Sequence, residues 1–152
     1  MKHLNTKLLN EKDACSDGFN AFEKAHGNKD VTWLKALESN GWYDIWWAIS
    51  KFNNNLTDSQ NKDLRLLAAD YAEDCIHLFE KENTEDNRPR LAIEAARKFA
   101  NGVITKEELA DADAAAAAAA DSADAAYAYA DAAREKQVEQ LKKVLVGWGG
   151  GR

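Results

Sequence analysis

A single proline and eight glycines, three of them adjacent at Gly149-Gly150-Gly151, leave little turn chemistry in this 152-residue chain. That poverty argues against an all-β fold, where tight turns recur every few residues. No strand candidate with period-two alternation is present either. No window of about 18 apolar residues is free of charge, which excludes a membrane-spanning helix. Met1-Lys2-His3-Leu4-Asn5 leads into polar sequence rather than an apolar signal core, which predicts a cytoplasmic protein. The only cysteines, Cys15 and Cys75, have no metal-type spacing and sit among apolar helical positions. Two reduced, buried thiols are the preferred reading, with a disulfide as the weaker alternative.

Catalytic constellations are scarce as well. There is no Gly-rich phosphate loop, no Gly-x-Ser-x-Gly and no Cys/His pair at useful spacing, and Ser16 and Ser122 have no evident base. His3 and His26 have no companions. The sequence therefore predicts a protein that is not an enzyme and holds no cofactor or metal.

What is present is apolar and charged residues in helical register. An apolar content of 45% with five Trp argues against disorder. A chain of this length can bury about 70% of its unfolded surface in one domain. The net charge of −6 is unevenly spread. Between residues 105 and 133 the acids Glu107, Glu108, Asp111, Asp113, Asp121, Asp124 and Asp131 face one base, Lys106, whereas residues 134–152 are net basic. Such a surface argues against direct nucleic-acid binding, which needs a basic footprint, and suits a basic protein partner.

In chain order, Asn10–His26 carries Ala14, Phe19, Phe22 and Ala25 at helical spacing, with Gly27 as its stop and Gly18 marking a close contact or a break. A short helix follows from Asp30 to Asn40-Gly41, then another over Trp42–Phe52 with Ile45, Trp46, Ile49 and Phe52 inward. Asn53-Asn54-Asn55 reads as a loop. Asp58–Glu82 is predicted to be the central core helix, through Leu64, Leu67, Ala68, Tyr71, Ala72, Cys75, Leu78 and Phe79. Asp86 or Asn87 caps the next helix, Pro89 lies in its first turn, and Asn101-Gly102 ends it.

Thr105-Lys106-Glu107-Glu108 is a capping box, and no Pro or Gly follows until Gly147. The spacing predicts one helix of about 40 residues, roughly 60 Å long. Asp113, Asp121, Asp124, Asp131, Glu135 and Glu139 then share a sector of roughly 80°. Leu109, Ala112, Ala116, Ala119, Ala123, Tyr127 and Leu141 are expected on the other side. The fold class is all-α: a bundle of about five to six helices with one long Ala-rich C-terminal helix. Residues 1–146 form a single domain and 147–152 a flexible tail, although Trp148 is apolar enough to fold back on the core.

The runs Trp42-Tyr43-Asp44-Ile45-Trp46-Trp47, Leu66-Leu67-Ala68-Ala69-Asp70-Tyr71-Ala72-Glu73 and Asn87-Arg88-Pro89-Arg90-Leu91-Ala92-Ile93-Glu94-Ala95-Ala96-Arg97, followed by the alanine-rich helix, carry a family likeness. The chain resembles an immunity protein family: Ala-rich, all-helical proteins of bacterial toxin–immunity loci and phage genomes. The resemblance implies a small helical protein that binds and blocks another protein.

Three side-chain groups are weighed on the residues themselves. Asp70, Asp74 and His77, with Asp63 before them, share one face of the core helix and resemble a divalent-metal set. A solvated face with Lys81 nearby is the preferred reading. Arg88, Arg90 and Arg97 cluster at a helix start, where an anion fits. An ion-pair network to a neighbouring helix, through Asp70 or Glu73, is preferred. The acidic stripe is a solvated face or a contact for a basic groove. The expected partner-binding residues are Asp113, Asp121, Asp124, Asp131 and Glu135, with Trp42 and Trp47, and the expected partner is a basic toxin, nuclease or defence effector. The function expected is non-enzymatic, immunity-like inhibition. Phage-encoded anti-defence inhibition, against CRISPR or restriction, is the alternative. A structural module, or a homodimer through the alanine face, is a third reading.

Overall fold

A computed structural model describes residues 1–120 and 126–149, with side-chain placements for these except residues 82, 114–120 and 126–132. The elements in order are β1 (His3–Leu4), α1 (Thr6–Glu11), α2 (Ser16–His26), β2 (Val31–Thr32), α3 (Trp33–Lys51), α4 (Asp58–Glu82), α5 (Arg88–Ala100), α6 (Lys106–Ala120) and α7 (Ala126–Gly149), with a 3-10 turn at Asn53–Asn55. The all-α expectation is borne out, with one addition. β1 and β2 pair antiparallel, His3 opposite Thr32 and Leu4 opposite Val31. Two residues are too few to show a period-two pattern, which is why these strands carry no sequence signal. The described residues form two compact units, 1–61 with 140–149 and 62–139.

In the first unit, Asn5 caps α1 by accepting from the Leu8 amide at 2.8 Å. The helix expected over residues 10–26 is broken after Glu11, where Asp13 adopts a φ of 55°. Asp is among the few residues that tolerate that conformation. Gly18 is a close contact rather than the break: a Cβ there would lie 2.9 Å from Asp44 Oδ2 and 3.3 Å from Cys15 Sγ. Cys15 is the residue before α2 and is exposed, and Cys75 is half-buried. Both thiols are free, but neither is buried as expected. Cys15 precedes the first turn of α2, outside the helical register that would place it among the apolar positions.

α3 joins the two helices expected on either side of residue 41 across a kink at Gly41, whose φ of 80° is a conformation that side chains rarely adopt. Trp33 packs edge-on against Trp148, ring centroids 5.8 Å apart, and is 1% exposed. Trp148 is 7% exposed, and Leu141 and Leu145 before it are fully buried. The tail expected from residue 147 is thus helical through Gly149, because an indole this large gains by leaving water. Residues 150–152 lie outside the described residues.

α4 starts with a second capping box, Thr57-x-x-Gln60. The Gln60 amide donates to Thr57 Oγ1 at 3.2 Å, and the Thr57 amide donates to Gln60 Oε1 at 3.0 Å. The buried Gln60 also holds the Met1 backbone: its Nε2 donates to the Met1 carbonyl at 2.9 Å.

The second unit is built on α4 from residue 62 onward. Leu67 is buried as expected, but so are Ala69 and Ile76, while Ala68 and Ala72 are exposed. The reason is that α4 has neighbours on two sides. It meets α5 through Asp70, Glu73 and Glu80, and α7 through Tyr71 and Asp74. Tyr71 donates its hydroxyl to the Gln137 carbonyl at 2.6 Å. α5 starts as expected, with Asp86 accepting from the Arg88 amide at 3.1 Å. It ends at Ala100, with Gly102 at a φ of 71°. Thr105 and Glu108 form the predicted box reciprocally, at 2.8 and 3.2 Å. Beyond it the Ala-rich stretch is described as α6 and α7, and residues 121–125 between them lie outside the described residues.

Candidate functional site

The residues expected to bind a partner fall in both units. Trp42 and Trp47 sit on the second half of α3, each half-buried. Trp42 packs edge-on against Tyr43 at 5.1 Å and against Trp46 at 5.8 Å. Tyr43 itself is 68% exposed, the feature of this cluster that reasoning on the sequence missed. Its signal is the aromatic-rich segment from residue 42 to 47, with Trp42, Tyr43, Trp46 and Trp47, in which a helix cannot turn every ring inward.

Trp47 and Tyr43 line a cavity of about 260 Å³. Its other walls include Leu9, Cys15, Gly18, Phe22, Ala36, Asn40, Asp44 and Ile45. α3 supplies most of the lining, and α2 closes against it where Gly18 leaves room for Asp44.

Asp113 and Glu135 lie in the second unit, and both are exposed. So are Glu107, Glu108 and Asp111 in the first two turns of α6. Acidic side chains in that position also complement the helix dipole, which is a local reason for them to be there. Asp121 and Asp124 lie outside the described residues, as does the side chain of Asp131. Leu109 and Asp113, expected on different sides of the helix, instead both border one cleft of about 290 Å³, with Arg65, Ala68, Ala72, Ala92 and Ile93. Residues four apart share a helix face, so the acidic sector and the apolar face adjoin here.

The basic cluster on α5 is engaged by carboxylates. Arg97 bridges Asp70 at 2.7 Å and Glu73. Arg90 grips Glu80 with two parallel bonds of 2.6 and 2.8 Å, and Arg88 does the same with Asp86 at 2.8 and 2.6 Å. On the α7 side, Lys136 reaches Asp74 at 2.6 Å. This is the ion-pair network preferred over an anion site. Asp70 and Asp74, weighed above as metal ligands, are spent on Arg97 and Lys136. Among the described residues no group of three His, Cys, Asp or Glu is placed to hold a metal ion.

Three of the paired carboxylates are held below their ordinary values. Hydrogen bonds from Arg97 hold Glu73 below its ordinary value, and Arg90 does the same for Glu80. The Arg88 side chain and amide hold Asp86 at about 2, against an ordinary 3.8. A depressed carboxylate contributes stability that is complete above its ordinary value and lost as pH falls through its folded value. The Asp86 contribution is therefore expected to fade between about pH 4 and pH 2. A carbon-detected NMR titration should give an Asp86 midpoint near 2, and an ordinary midpoint would show that the Arg88 grip does not form in solution.

These side chains are substantially exposed, which limits what they stabilise. Arg97→Met is expected to cost about 1 kcal/mol or less, with a smaller cost in high salt. Urea denaturation at two ionic strengths measures it. A loss of several kcal/mol would mean that Arg97 is buried in a way the structure does not show.

A family model described as Imm-5 like putative immunity protein matches residues 54–136. That stretch contains α4, α5, α6 and the start of α7, and with them every ion pair just described. No curated protein and no solved structure matches the chain. No helix among the described residues is long and apolar enough to cross a membrane.

Proposed function

The chain belongs to the Imm-5 like immunity protein family, and on that premise we propose that it is a non-enzymatic inhibitor of a protein toxin. It binds the toxin in the cytoplasm and occludes its working surface. The exposed carboxylates that open α6, Glu107, Glu108, Asp111 and Asp113, are the observation that supports a basic target. They extend in sequence through Asp121, Asp124 and Asp131, with Lys106 the one base among them. A row of carboxylates attracts a basic groove over a distance of about one Debye length and speeds encounter.

The α4–α5 ion pairs have a supporting role in this account. They tie α5, against which α6 packs, to α4, so the acids are presented on a held element rather than on a loop. The test is co-expression with a candidate toxin, taken from the neighbouring genes where one is encoded there. Growth should be restored by this chain and lost again when the acids are reversed to Lys. Continued toxicity in the presence of well-expressed chain would remove that toxin as the target.

A further inference from the structure

Every residue lining the cavity of the first unit precedes residue 54, outside the stretch shared with the immunity family. Its walls are mostly apolar: Leu9, Phe22, Ala36, Ile45 and the ring of Trp47. The polar side chains it receives are Cys15, Asn40, Tyr43 and Asp44, and none of its lining residues is Lys, Arg or His. Asp44 Oδ2 accepts one hydrogen bond, from Asn40 Nδ2 at 3.0 Å, and Asn40 is itself anchored by donating to the Gly18 carbonyl at 2.7 Å. Among the described ion pairs, none involves Asp44.

A carboxylate held against apolar walls has a defined complement. A neutral ligand that displaced its water would leave the charge poorly solvated, at a cost. A cation on an apolar body satisfies both parts of the cavity, and the aromatic rings of Phe22, Tyr43 and Trp47 add attraction for positive charge. We propose that this cavity binds a small organic monocation, with its ammonium on Asp44 and its apolar body between Phe22 and Trp47. The volume of about 260 Å³ lies under the roughly 300–1,000 Å³ of clefts for drug-sized ligands, so the body is a single ring or a short chain. Gly18 is part of the recognition, because a side chain there would meet Asp44 Oδ2 and Cys15 Sγ at 2.9 and 3.3 Å.

The same chemistry is offered by a free amine and by a Lys side chain on a partner protein, and the experiment separates them. The probe is phenethylammonium, titrated into the full chain by NMR, with 2-phenylethanol as its neutral counterpart. The cation is expected to shift the amides of Gly18, Asn40 and Asp44 with a Kd on the order of 1 mM, as suits a ligand of its size. The alcohol should bind at least tenfold more weakly. Asp44→Asn, which keeps the shape, should abolish that preference. Cys15, exposed and on the cavity wall, gives a readout that needs no variant: the bound cation should slow its alkylation. If Asp44→Asn also weakens the toxin complex, the natural ligand is a partner's Lys; if it weakens only amine binding, the ligand is a free amine. Equal binding of alcohol and cation would overturn the proposal. So would the absence of both amide shifts and Cys15 protection well above millimolar cation.

Discussion

Trp148→Ala is expected to destabilise the first unit by about 3–5 kcal/mol, the usual cost of emptying a buried Trp site. The side chain is 7% exposed and lies edge-on to Trp33, which is itself almost fully buried. Removing it leaves a void beside Trp33 that a tightly packed neighbourhood fills only in part, and strips the aromatic pair of its contact geometry. Trp148→Phe, which keeps a ring in the site, should cost clearly less. Far-UV circular dichroism in urea is the suitable readout, because tryptophan fluorescence changes with the substitution itself. An unchanged urea midpoint would mean that α7 does not end in the core.

Reversing Asp121, Asp124 and Asp131 to Lys together is expected to weaken the toxin complex by at least about 100-fold, equivalent to roughly 2.7 kcal/mol. Most of the loss should appear in the association rate, and wild-type binding should itself weaken with added salt. Helicity and the urea midpoint, measured alongside, should stay near wild type, which separates a lost contact from a lost fold. Surface plasmon resonance at two salt concentrations provides both rates. A triple variant that binds and neutralises at full strength would move the contact away from the acidic stripe, and the aromatic cluster of Trp42, Tyr43 and Trp47 would become the surface to test.

Much of the fold was legible because it rests on local rules. The bounds of α4 follow from its apolar spacing, the start of α6 from the Thr105–Glu108 box, and the end of α5 from Asn101-Gly102. Even one long-range contact could be read in outline: the Arg cluster on one helix and acids at helical spacing on another point to an ion-pair network through Asp70 or Glu73, and Arg97 bridges both. What escaped depends on tertiary context. The residues that α4 buries were misread because a helix with neighbours on two sides has no single apolar stripe, so Ala69 and Ile76 are covered while Ala68 and Ala72 are not. The antiparallel ribbon of His3–Leu4 and Val31–Thr32 is too short for any pattern. Whether Trp148 folds back could not be decided without seeing Trp33.

The candidate site was legible as chemistry more than as geometry. Asp113 and Glu135 are exposed, as a contact surface requires, and Trp42 and Trp47 are held half-buried on α3. The cavity beside Trp47 had no sequence signal, because its walls converge from β1, α1, α2 and α3 and from the segment between α1 and α2. Gly18 was the nearest hint. A glycine inside a helix marks a close approach, and here the approach is by the carboxylate of Asp44.

Inhibition by occupying a toxin is measured by titrating purified chain into a fixed amount of the active toxin and following the toxin's own activity. A linear fall that ends at a fixed molar ratio is expected, with activity recovered when the complex is dissociated. Full and lasting inactivation by a small fraction of an equivalent would contradict it, because that is how an enzyme acting on the toxin behaves. Undiminished toxin activity at excess chain would contradict it as well.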